Sequence, residues 1–152
     1  MGSRVSVEGR VIQLDASRRG GVVTVTPEDE NRFNLRVEEA IAACQKWVDD
    51  RQARRRFDLL LTRLQDWVLQ RGDLRDAYLT MRDGGFVFLT VRKEATYDAK
   101  FEDELTTLDV ELAHDQDLRC EVDVLAMPPA SDAALQSFLS PGLTLRFKSG
   151  QG

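Results

Sequence analysis

Six side chains able to bind a metal fall between His114 and Asp123: His114, Asp115, Asp117, Cys120, Glu121 and Asp123. A zinc site needs three or four converging ligands, with histidines or cysteines paired at short spacing. One histidine and one cysteine six apart do not make that pattern. The acids also lack the twelve-residue, glycine-centred loop of a helix–loop–helix calcium site. The stretch reads as a polar turn, and no metal or other cofactor is expected. His114 is the single histidine of the chain, so a Ser–His or Cys–His pair would have to use it. Nothing in the sequence sets a nucleophile beside it, and no catalytic residue is assigned.

The next concentration of chemistry is basic. DDRQARRRF, residues 49–57, holds Arg51, Arg54, Arg55 and Arg56. At about 100° per residue, Arg51, Arg54 and Arg55 share about a third of a helix circumference, while Arg56 points toward an apolar stripe. Asp50 lies four residues before Arg54 and Asp58 four after, the spacing of helical ion pairs. Against two aspartates the four arginines leave only a small local positive charge, which binds phosphates weakly and with strong salt dependence. A solvated or salt-bridged helix surface is the plainest reading; an acidic protein surface is the next, with Glu102, Asp103, Asp109 and Glu111 as candidate counterparts. A nucleic-acid contact through Arg18, Arg19, Arg51, Arg54 and Arg55 is the alternative. Arg71-Gly72-Asp73 spells an adhesion tripeptide, but a glycine stopping a helix is the plainer reading.

The charge distribution reads first as a solvated acidic helix face and second as an interaction signal. The chain has 152 residues and a net charge of −5. Residues 1–75 hold 14 Lys and Arg against 12 Asp and Glu, whereas residues 76–152 hold 7 against 14. Between Glu94 and Asp123 only Lys100 and Arg119 offset 11 acids. With 42% hydrophobic and 31% charged residues, the chain is too apolar for disorder and long enough for one real core. No apolar run approaches the length of a membrane span, and MGSRVSVEGR carries no signal-like apolar stretch. A cytoplasmic protein with Cys44 and Cys120 as buried thiols is expected.

The elements that must position these groups read as α+β. Residues 1–35 predict a three-stranded β-meander: VSVEGRVIQL, then ASRRGG as a turn, VVTVT, PEDEN as a turn, and RFNL. Such a meander cannot hold its own core and must pack on the rest. Residues 36–72 form the helical region, stopped at Gly72. Val37, Ala40, Ile41, Cys44, Trp47 and Val48 make one apolar stripe; Phe57, Leu60, Leu61, Leu64, Trp67 and Val68 make another, half a turn away. The changeover falls at 49–56. Two helices on a common core, or one long helix whose halves pack on different bodies, both satisfy this pattern, with two helices slightly favoured. Residues 73–150 then predict a β-hairpin turning at Asp83-Gly84, an amphipathic helix 98–114, the strand CEVDVLAM, a short helix capped by Ser131, and the strand LTLRFK. The predicted class is α+β with a mixed sheet, β-hairpin-α-β-α-β following the helical region, in one compact unit.

Two local resemblances bear on function. CEVDVLA is similar to the metal-binding strand of restriction-endonuclease-like nucleases, with Asp123 in the place of the strand aspartate. That implies a later Glu-x-Lys strand; here Arg146-Phe147-Lys148 stands there, without the acid. EGRVIQLDASRRGGVVTVTPEDENRF resembles the first strands of a cold-shock or OB-type barrel, with Val22, Val23 and Val25 where that family stacks bases on aromatics. The reading that results is a non-enzymatic cytoplasmic protein–protein interaction or assembly subunit, a homodimer included. A nucleic-acid module is the alternative, and a degenerate metal-dependent nuclease-like domain a remote one.

Overall fold

The computed structural model describes residues 11–44, 50–83, 85–118, 121–139 and 142–150. Strand β1 (Ile12–Arg19) turns through Gly20 and Gly21 into β2 (Val22–Pro27). Both glycines have positive φ, 57° and 84°, as a two-residue primed turn requires. Helices α1 (Glu30–Cys44) and α2 (Asp50–Leu69) follow, then β3 (Leu74–Arg82) and β4 (Gly85–Arg92). Helix α3 (Ala99–His114), β5 (Val122–Met127), the short α4 (Asp132–Gln136) and β6 (Thr144–Arg146) complete the order. The six strands form one mixed sheet in the order β2-β1-β6-β3-β4-β5. The β1/β6 and β4/β5 pairs are parallel, and the rest are antiparallel. Helix α3 is the crossover that a parallel β4/β5 pair needs.

The α+β class and the hairpin at Asp83 are as expected; Asp83 has φ 54°, and Gly84 lies outside the described residues. Phe86 and Phe88 of β4 face the helix-side core, Leu89 and Val91 the opposite one, which explains its apolar run. The third meander strand is not there. RFNL lies in the first turns of α1, where Asp29 caps the helix by accepting the Arg32 N–H at 3.1 Å. A strand would put Phe33 and Leu35 on one face; instead Phe33 is 3% exposed and Leu35 79%. The 3.6-residue period separates them by about 200°.

The helical region is two helices on one core. The Phe33 and Phe57 rings stack with centroids 6.3 Å apart, and Phe57 stacks on Phe86 at 5.9 Å. In one continuous helix those 24 positions would span about 36 Å. The chain therefore reverses between α1 and α2, and residues 45–49, including Trp47 and Val48, lie outside the described residues. The arginine stretch is not the changeover itself: Arg51 to Arg56 already sit in the opening turns of α2. Both apolar stripes enter the same cluster, with Val37 and Ala40 beside Phe57, Leu60 and Leu64. The described parts of the two stripes are thus not two separate docking faces.

Two contacts tie residues 148–150 to α2. Fully buried Gln65 donates from Nε2 to the Lys148 carbonyl at 2.8 Å, and its Oε1 accepts the Lys148 N–H at 3.0 Å. The side-chain amide thus takes the place of a neighbouring strand. Gly150 then crosses the end of α2 so closely that a Cβ there would stand 2.5 Å from the Arg71 carbonyl oxygen.

Candidate functional site

Ala53 and Phe57 are fully buried, which sets the orientation of the first turns of α2. Arg51 and Arg55 consequently stand on the solvent side, and Arg54 is half-buried. Its Nε donates to Asp58 at 3.1 Å and its guanidinium lies 5.7 Å from the Phe33 ring centre. Arg54 is thereby a link between α1 and α2. The side chain of Asp50, its other expected partner, lies outside the described residues.

Asp98 caps α3 by accepting the Phe101 N–H at 3.2 Å, and Phe101, Leu105, Leu108 and Leu112 bury its inner face. Asp103, Asp109 and Glu111 are left exposed and Glu102 half-buried. Ion pairs Arg63–Asp115 and Arg71–Glu104 join α2 to α3, so the two helices run antiparallel. Part of the charge asymmetry is thus resolved inside the molecule, with arginines from the first half meeting acids from the second. The singled-out charges are not part of that network. Arg51 and Arg55 lie at one end of the helix pair and Glu102 and Asp103 at the other, about 20 Å away along the axis. Among the described residues, Arg51, Arg55, Glu102, Asp103, Asp109 and Glu111 have no side-chain partner.

The other sequence candidates resolve separately. Arg18 pairs with Asp66, which lies 12 positions beyond Arg54 and so about 18 Å along α2. The five arginines of the nucleic-acid reading form two groups, not one stripe. Within Arg71-Gly72-Asp73, Arg71 turns inward: it stacks 4.3 Å over Trp67 and pairs with Glu104. Gly72 is not a left-handed cap, since among described glycines only Gly20 and Gly21 have positive φ. The helix closes earlier, with Gln70 and Arg71 N–H groups donating to the Trp67 and Val68 carbonyls at 3.3 and 3.0 Å.

In the metal-capable stretch, His114 Nδ1 lies 3.0 Å from the Val110 carbonyl oxygen and Asp115 is engaged by Arg63. Cys120 and the Cys44 side chain lie outside the described residues, among which no three metal-capable side chains converge. Strands β3 and β4 separate β5 from β6. Asp123 is therefore about 14 Å from the strand of Arg146, and the pair of strands a nuclease site needs is not assembled. Asp15 on β1 has its carboxyl held below the usual range, because Lys148 hydrogen-bonds it at 3.2 Å and the Ala16 N–H adds a second bond.

One feature escaped the residue-by-residue reading: β2 is an edge strand without a neighbour on its outer side among the described residues. The signal was present, as VVTVT is uncharged and lacks the lysines that usually protect an edge. No helix among the described residues is long and apolar enough to cross a membrane. Comparison with protein-family models, curated proteins and solved structures finds no match for this chain.

Proposed function

We propose that this chain is a non-enzymatic protein–protein interaction or assembly subunit. One observation carries the reading: Arg51 and Arg55 at one end of the α2–α3 pair, and Glu102 and Asp103 at the other, have no partner within the described protomer. Charges about 20 Å apart on antiparallel helices cannot neutralise each other within one molecule. They remain available to another, and complementary rim charges set partner orientation and encounter rate more than affinity.

The test is association measured by light scattering between low and high salt, with and without Arg51→Glu and Arg55→Glu. The expected result is a complex whose formation weakens with salt and with the charge reversals. A monomer at every salt concentration, together with no partner in a pull-down at low salt, refutes the reading. Labelled RNA or DNA binding at low salt that is lost in Arg54→Glu with Arg55→Glu would replace it with the nucleic-acid alternative.

A further inference from the structure

We infer that the outer edge of β2 pairs antiparallel with β2 of a second copy of this chain, about a two-fold axis at Thr24. The inference rests on the reading above only in that the chain associates; it names a partner and a different surface.

The register of the β1–β2 hairpin determines which backbone groups are free. Arg19 pairs with Val22 across the Gly20-Gly21 turn, so Val22, Thr24 and Thr26 bond inward to β1. The Glu28 N–H continues that set, donating to the Gln13 carbonyl at 2.9 Å. Val23 and Val25 therefore turn their N–H and C=O groups outward. Pro27, which has no N–H, falls on the outward phase, where an edge strand tolerates it. An antiparallel copy centred on Thr24 sets Val23 opposite Val25 of the partner and satisfies every outward group of both valines.

Charge supports the same arrangement. β2 itself is uncharged, but Arg18 and Arg19 precede its turn and Glu28, Asp29 and Glu30 follow it. Antiparallel pairing brings the basic end of one strand to the acidic end of the other, twice. In the Thr24-centred register Val22 falls opposite Thr26 of the partner, and Arg19, beside Val22 on β1, shares the exposed face with the partner's Glu28 two residues beyond Thr26. Arg19, Glu28 and Glu30 have no side-chain partner among the described residues. The two most exposed aliphatic side chains described, Val22 at 64% and Leu35 at 79%, belong to β2 and to α1, which follows it. The opposite edge, β5, is a poorer choice. It carries Asp123 within the strand and Pro128-Pro129 after it, and Glu121 offsets Arg119 at its start.

The register makes a sharp test. Thr24 meets Thr24 of the partner as a non-hydrogen-bonded pair, with Cα atoms about 4.5 Å apart, inside disulfide range. Thr24→Cys, in a Cys44→Ser, Cys120→Ser background, is expected to give a covalent dimer under mild oxidation. Thr24→Lys is expected to raise the dimer Kd on the order of tenfold, because like charges then face each other across the axis. Arg19→Glu and Glu28→Arg should each weaken the dimer, and together restore it, a rescue that a folding defect does not produce. Circular dichroism on each variant establishes that the fold is kept. A monomer by light scattering at all concentrations overturns the inference. A dimer that neither cross-links through Thr24→Cys nor responds to Thr24→Lys also overturns it, while leaving association itself intact.

Discussion

The stacking of Phe33 on Phe57 is what makes the helical region two helices on one core, and a double-mutant cycle tests it directly. Phe57 is fully buried, with ring centroids 6.3 Å from Phe33 and 5.9 Å from Phe86. Phe57→Leu and Phe33→Leu each remove an aromatic face while keeping most of the apolar volume. Each should cost about 1–2 kcal/mol, well below the 3–5 kcal/mol of truncation to alanine. The informative quantity is the coupling between them. A stacked pair is worth about 0.5–1.5 kcal/mol beyond its buried area, and Arg54, which lies 5.7 Å from the Phe33 ring, shares that environment. The double variant should therefore be less destabilised than the sum of the singles by about 1 kcal/mol. Urea titration of the four proteins reads this out, provided their m-values agree. If the helices ran on as one rod, the two rings would be about 36 Å apart and the effects would add. Additivity within about 0.3 kcal/mol would refute the helix reversal.

Three further outcomes follow from named contacts. Gln65→Leu leaves the Lys148 N–H and C=O without their partner, and should lower stability by about 2–4 kcal/mol in urea titration, with hydrogen exchange at Lys148 accelerating. Gly150→Ala places a methyl against the carbonyl oxygens of Arg71, Leu69 and Val68, which are backbone and cannot swing aside. Residues 148–150 should detach from α2, seen as faster exchange at Lys148 with the rest of the sheet unchanged. Lys148→Met removes the hydrogen bond and charge that hold the Asp15 carboxyl low, so its midpoint should rise toward the ordinary value of about 3.9 in an NMR titration. The sign is that of a depressed acid. Its stabilisation is present above the unfolded midpoint and is lost as pH falls through the folded one, so the variant should narrow the stability difference between pH 5 and pH 2.

Much of the architecture was legible locally. The Gly20-Gly21 and Asp83 turns, the Asp98 and Ser131 caps and the 4-3-4 spacing of Phe101, Leu105, Leu108 and Leu112 rest on backbone sterics and short-range periodicity. Neighbouring residues alone decide these. RFNL misled because Phe33 and Leu35 mimic alternation over four residues, too short a window to separate the two periods. The Asp29 cap that would have corrected it looked like turn chemistry. The candidate site was legible only as composition. Nothing in the sequence says that Arg63 and Arg71 would be consumed by Asp115 and Glu104 while Arg51, Arg55, Asp103 and Glu111 would not. That outcome depends on α2 and α3 lying antiparallel on one sheet face.

By itself the chain determined its class, most of its strands and helices, the two stripes that had to be buried, and the bases and acids bracketing VVTVT. The tertiary structure alone decided that the stripes share one core, that Asp123 and the Arg146 strand stay two strands apart, and that β2 is an edge. The division has a physical reason. Turns, caps and amphipathic faces are set by interactions within a few residues, whereas strand order and helix reversal depend on which distant apolar faces bury each other, and local pattern is the same for several answers.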